Sequence, residues 1–306
     1  MKKFSLIGTM VLLLVFSLVA CSNASGGSSG NSEGTIKVGG KGFTEQQILS
    51  TMTSIYLKEK GYDVEEASNM GSTVVRKALE NGQVDMYWEY TGTALVIFQK
   101  QDPLADSEKA YQKVKETDEK DGLMWLEKAD LNNTYSILMK EEKAKNLGIK
   151  SISDLANYVD KNPNKLKFAS NAEFYAREDG MKGLQEHYGF EFPSKNVVKM
   201  DSGLLYNALK DGQVDVSVGF ATDGRIKGFN LLALEDDKNF FPAYNVAPVV
   251  REKVLNKYPE LNDLMNKVSG NLNTEAMMQL NYKVDVEHKE VSKVARNWLK
   301  EQGLIE

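Results

Sequence analysis

The sequence predicts an α/β protein of two lobes, and three observations carry that expectation. Short β-type runs alternate with helical runs of roughly ten to fifteen residues, which calls for a mostly parallel sheet covered by helices on both faces. An internal repeat, ALENGQVDMYWEYTGT from Ala78 and ALKDGQVDVSVGFATDG from Ala208, marks two related halves. The length of 306 residues and the 42% hydrophobic composition are enough for two domains, each with its own core. In both copies of the repeat Gln-Val-Asp leads into an apolar or aromatic run, and an aromatic follows five residues after the Asp, Tyr90 in one and Phe220 in the other. Two similar units that offer an aromatic at the same place imply a cleft.

Ahead of these units lies a processing segment. Residues 1–20 carry Lys2 and Lys3 and then an apolar run from Phe4 to Ala20, the pattern of a secretory signal peptide. The run is short for a membrane span and is diluted by Ser5, Gly8, Thr9 and Ser17. Cys21, the single cysteine of the chain, stands at its end after Leu18-Val19-Ala20. That pattern resembles the lipobox of bacterial lipoproteins, which implies cleavage before Cys21 and its lipidation. With no second cysteine there is no intramolecular disulfide, so the exported fold is held by its core. Residues 21–34 form a flexible Gly/Ser tether. Loss of Lys2 and Lys3 takes the formal charge from −5 to −7, and an acidic body without basic runs argues against nucleic acid as a partner.

Along the body, residues 35–40 (TIKVGG) read as a strand, and Thr44 is the expected N-cap of a helix with Ile48, Met52, Ile55 and Tyr56 at helical spacing. Lys60-Gly61 stops it. Residues 62–65 give a second strand, 72–80 a helix and 84–88 a third strand; a charged helix at 106–121 and a strand at 123–126 follow. Residues 132–139 (NNTYSILM) are a crossover into the second lobe. There the grammar repeats: a capped helix from Ser151, a strand at 165–169, a helix at 181–188, a strand at 197–200, a helix at 204–209 and a strand at 214–220. Residues 231–235 and 245–250 lead back, and 262–303 are largely helical. The first lobe is thus 35–131 with 237–306, and the second 132–236.

Catalytic chemistry finds little to work with. His187 and His288 have no metal-ligand partner at a useful spacing. There is no Walker loop, Gly-x-Ser-x-Gly elbow or dinucleotide fingerprint, and Gly39-Gly40-Lys41-Gly42 has no downstream Ser/Thr of a phosphate loop. The chain is therefore expected to be a binding protein, with neither metal nor cofactor. Ligands of open α/β sheets sit beyond the carboxyl ends of the strands, which puts Lys41, Tyr90 and Thr93 on one rim. The two-lobe arrangement adds Tyr135, Tyr206, Phe220 and the loop residue Arg177.

These stretches resemble the extracytoplasmic substrate-binding proteins of osmoprotectant ABC importers. The resemblance covers about residues 35–305 and rests on GGKGFTEQ, YWEYTGTA, NNTY, EFYAREDG, GLLYNAL, FATDGR, LEDDKNFFPAY and LNYKVD in that order. It implies a two-lobed type II periplasmic-binding-protein fold with a hinge and an interlobe ligand cleft. It also implies an aromatic cage for a trimethylammonium group on Tyr90, Tyr135, Tyr206 and Phe220, with Asn133 beside it, and a carboxylate site on Lys41, Thr93 and Arg177. The physical logic agrees. A quaternary ammonium has no N–H to donate, so aromatic faces hold it, each worth roughly 0.5–2 kcal/mol when desolvated. A bidentate Arg, a Lys point charge and a Thr hydroxyl suit the carboxylate. Phe220 stands where many relatives have Tyr, and Asn133 where some have an acid. Lys41 and Arg177 favour a zwitterion, glycine betaine with carnitine or proline betaine, over choline, because choline would leave two cations unpaired in a closed cleft. A choline-preferring receptor and an amino-acid receptor, with Asp85 or Glu89 accepting from an amine, remain alternatives. The expected partners are an ABC permease with its cytoplasmic ATPase, the expected place is the outer face of the cell membrane through the lipid anchor, and the expected state is a monomer.

Overall fold

The computed structural model describes residues 34–306. The signal segment, Cys21 and all of the tether but Gly34 lie outside the described residues. In chain order the strands of the first half are β1 (Ile36–Lys41), β2 (Val64–Met70), β3 (Met86–Tyr90) and β4 (Leu123–Trp125). They are followed by β5 (Tyr135–Lys140), β6 (Phe168–Ser170), β7 (Val197–Lys199), β8 (Val216–Phe220), β9 (Leu231–Ala233) and β10 (Val246–Arg251). These strands make two five-stranded sheets, ordered β2-β1-β3-β10-β4 and β7-β6-β8-β5-β9. The fold is the mixed α/β, two-lobed arrangement of a type II periplasmic binding protein.

Neither sheet is mostly parallel. Parallel pairing is confined to β2-β1-β3 and β7-β6-β8, whereas β10 runs antiparallel to β3 and β4, and β5 antiparallel to β8 and β9. The reason lies in the connections. β5 carries the chain out of the first sheet's residues, and β10 brings it back. Each enters its sheet at the carboxyl end of a neighbour, so Tyr135 opens β5 opposite Phe220, the last residue of β8. Val246 likewise opens β10 opposite Tyr90, the last residue of β3.

The repeat is a repeat of geometry. Gly82 and Gly212 follow their helices with φ of 73° and 74°, the left-handed conformation that glycine adopts without a Cβ penalty. In each copy the backbone N–H groups of Gln and Val return to the same helical alanine carbonyl, Ala78 in one and Ala208 in the other. Each Asp then accepts from the backbone of the neighbouring parallel strand's start: Asp85 from Lys37 N at 2.9 Å, Asp215 from Lys167 N at 2.7 Å. A basic side chain completes each, Arg251 on Asp85 and Lys143 on Asp215.

Helix α1 (Thr44–Glu59) buries Ile48, Leu49, Met52 and Tyr56 in the first lobe's core. Burial of each such side chain stabilises by about 1.5–3 kcal/mol. Thr44 does not cap it. The N-cap residue is Phe43, with extended backbone and no side-chain cap, and Thr44 is already the first helical residue; its hydroxyl donates to Asp285 at 2.7 Å, from the C-terminal helices.

Candidate ligand-binding site

The carboxyl ends of β1, β3 and β8 and the amino end of β5 meet, and their terminal residues are Lys41, Tyr90, Phe220 and Tyr135. A cavity of about 430 Å³ opens there. Six of the eight residues expected at the site line it: Lys41, Tyr90, Thr93, Asn133, Tyr135 and Phe220. Tyr206 and Arg177 line two neighbouring hollows instead, a small one of about 140 Å³ and a wide one of about 1090 Å³ that carries none of the four cage aromatics.

The aromatic wall is continuous. Tyr135 lies 5.2 Å from Phe220 between ring centroids, and Phe43 stacks on Phe220 at 5.6 Å and 10° while standing 6.1 Å from Tyr90. Tyr244 meets Tyr135 edge-on at 5.6 Å and 84°. Such centroid separations lie in the favourable range for offset and T-shaped pairs. Nothing in the sequence alone singles out Phe43 and Tyr244, although they lie within GGKGFTEQ and LEDDKNFFPAY. Tyr244 reaches its place because Gly92 makes room; a Cβ on Gly92 would come within 2.7 Å of the ring. Tyr206 stands behind Phe220. Its hydroxyl accepts from Phe220 N at 2.9 Å and the Arg225 guanidinium covers its ring at 4.1 Å, so a cation already occupies one face.

Both expected carboxylate-binding cations are paired. Lys41 Nζ is 2.5 Å from Glu89 Oε1, both side chains being buried, and the other Glu89 oxygen accepts from the Tyr87 hydroxyl. Lys41 Nζ also lies 5.0 Å from the Tyr90 ring centroid. Arg177 donates through Nε and Nη2 to the two oxygens of Asp179 at 2.7 and 2.6 Å, and also to the Tyr244 hydroxyl. Its contact to Glu173 is longer, 3.2 Å, and Glu173 is half-exposed. Burial pulls the Arg177 pKa down, but Asp179 more than offsets it and the guanidinium is held firmly charged. The argument that choline would leave these two cations unpaired therefore does not hold in this geometry. Among the described residues, buried Thr93 has no hydrogen-bond partner for its hydroxyl, and exposed Lys199, whose Nζ lies 3.4 Å from the Tyr175 ring centroid, joins the cavity wall without a carboxylate partner. No pattern in the sequence points to Lys199.

Beneath the wall sits Glu45, 2% exposed, at the start of α1. Its Oε1 accepts from the Tyr90 hydroxyl at 2.7 Å and from Asn133 Nδ2 at 3.0 Å, and its Oε2 from the Thr222 hydroxyl at 2.5 Å. Burial pushes the Glu45 pKa up, against the pull of these donors. Burial and then the Glu45 charge push the Tyr90 pKa well above that of a free phenol, so the hydroxyl is protonated.

Two lobes with strand ends and aromatic rings converging on one cavity define a binding protein for a small molecule. The chain belongs to the family described as the substrate-binding domain of ABC-type glycine betaine transport systems, whose model matches residues 34–301. It is 42% identical over 277 residues to the glycine-betaine-binding protein of Pseudomonas aeruginosa, covering 89% of each chain. It is 37% identical to the carnitine transport binding protein OpuCC of Listeria monocytogenes, over 100% of this chain and 99% of that one. Among solved structures, a glycine betaine/carnitine/choline ABC transporter protein matches with a TM-score of 0.73 at 31% identity, covering 89% of this chain and 100% of that one. This protein is accordingly the binding component of an importer that works with a membrane permease, and not an enzyme.

Proposed function

We propose that the 430 Å³ cavity holds a quaternary-ammonium compatible solute, glycine betaine first, with carnitine and proline betaine as further ligands, and delivers it to the ABC permease for osmoprotection. The observation that carries the reading is the convergence of Tyr90, Tyr135 and Phe220, from three different strand ends, on one cavity. Each face contributes roughly 0.5–2 kcal/mol to holding a desolvated cation. Tyr206 supports Phe220 from behind, and Asn133 adds a carbonyl oxygen beside the rings.

The ligand's carboxylate meets Thr93 and Lys41, and it reaches Arg177 by taking the place of Glu173, the weakest of that residue's contacts. The lobes, 35–131 with 237–306 and 132–236, close on the ligand, since a molecule touching both stabilises the closed form that a permease recognises. Cys21 is the lipid-modified N-terminus that tethers the monomeric body to the membrane.

A choline-preferring receptor is the second reading. The pairing of Lys41 with Glu89 and of Arg177 with Asp179 favours it, because a ligand without a carboxylate strands neither cation. Calorimetric titration of the protein lacking residues 1–21 with glycine betaine, carnitine, choline, proline and ectoine decides between them. Tighter binding of choline than of glycine betaine selects the second reading, and binding of proline alone rejects both.

A further inference from the structure

Glu45 has no cationic partner among the described residues, and only neutral donors hold its carboxylate. A buried carboxylate left in that state is costly unless an external charge compensates it. The donors are informative, because two of them, Tyr90 and Asn133, belong to the cavity wall. Tyr90 commits its hydroxyl proton to Glu45 while accepting from Gln46 Nε2 at 3.1 Å, so its ring belongs to a phenol polarised toward phenolate. Asn133 commits Nδ2 to Glu45, which fixes the amide and leaves Oδ1 buried and without a partner. An electron-rich ring and a bare carbonyl oxygen are what an N-methylated cation seeks and what a neutral group of the same shape does not need.

Building on the quaternary-ammonium reading above, we infer that Glu45 is the buried counter-charge of the cage: a positioning residue that orients Tyr90 and Asn133 and makes the site selective for cationic over neutral trimethyl groups. The other charges near it sum to one excess negative charge, on the Asp223–Arg225–Asp285 group. Lys41 is paired with Glu89 beside Tyr90. Across the small cavity that Glu45 shares with Tyr206, Arg225 faces Asp223 at 2.6 Å and Asp285 at 3.6 Å. Of these carboxylates Glu45 is the one bonded directly to cavity-wall side chains, Tyr90 and Asn133, and so the one that a bound cation would compensate.

The test compares glycine betaine and choline, each with its tert-butyl isostere in which a quaternary carbon replaces the ammonium nitrogen, by calorimetry on the wild-type protein and on Glu45→Gln. The expected result is a loss of about tenfold or more for both cationic ligands in Glu45→Gln, with the isosteres changed less than about threefold. Equal losses for cations and isosteres assign Glu45 a structural role and overturn the inference, as does no loss at all. The wild-type protein gives a second readout that needs no variant. Its preference for the cation over the isostere should shrink as the pH is lowered and Glu45 takes up a proton; a preference constant down to the acid unfolding transition overturns the inference. Wild-type protein that binds no quaternary ammonium defeats the proposed function itself, an outcome distinct from both.

Discussion

Arg177→Met is the perturbation whose consequence the structure makes most definite. The guanidinium and the Asp179 carboxylate are both 5% exposed and joined by two charge-assisted hydrogen bonds. Methionine fills similar space but leaves Asp179 buried with, among the described residues, only the Tyr244 hydroxyl, at 2.7 Å, as donor. Breaking a buried pair from one side costs about 3–5 kcal/mol. For a body of this size that lowers Tm by roughly 6 °C or more. Asp179→Asn in the same chain removes the stranded charge, so Arg177→Met/Asp179→Asn should recover at least half of the loss in a double-mutant cycle followed by circular dichroism. A single variant within roughly 2 °C of wild type, or strictly additive effects in the cycle, would refute the assignment of these two side chains to one buried pair. The double variant is also the stable background for the ligand question. There glycine betaine should bind at least about tenfold more weakly than to wild type, and choline less than about threefold more weakly. Equal losses would remove Arg177 from the carboxylate site.

Tyr90→Ala should weaken glycine betaine and choline alike, by roughly 2- to 30-fold in calorimetry, since it removes one ring face from the cation and nothing from the carboxylate. Lys199→Ala should weaken glycine betaine by about two- to fivefold and leave choline unchanged, with the difference fading at high salt, as expected of an exposed charge. Gly92→Ala should push the Tyr244 ring out of place and lower both Tm and affinity; a neutral result would mean that the ring moves freely. The raised pKa of Glu45 gives stability a defined slope. The folded state holds this proton more tightly than the unfolded chain, whose carboxyl titrates near 4.5, so stability should fall as pH rises from about that value through the raised one. Urea denaturation across that window should show the slope in wild type and its loss in Glu45→Gln.

Much of this protein is local, and the sequence by itself determined that part. Gly82 and Gly212 with the following Gln-Val-Asp specify the same turn and the same aspartate bond in each lobe, because left-handed glycine and an Asp side chain reaching backbone are short-range chemistry. The repeat and the alternation of strands and helices announced two α/β units, matched by the two five-stranded sheets, and strand ends brought Tyr90 and Phe220 to one cavity. Only the tertiary structure decided who pairs with whom. That β5 and β10 run against their neighbours follows from the chain crossing between lobes. That Lys41 belongs to Glu89 and Arg177 to Asp179 was invisible, although the partners lie 48 and 2 residues away. A charge in a sequence shows its sign, but burial and the geometry of the nearest opposite charge decide whether it is free for a ligand. The same reason hid Glu45 inside a motif read for its lysine: a carboxylate becomes a counter-charge only when Tyr90, Asn133 and Thr222, drawn from distant segments, close around it and exclude water.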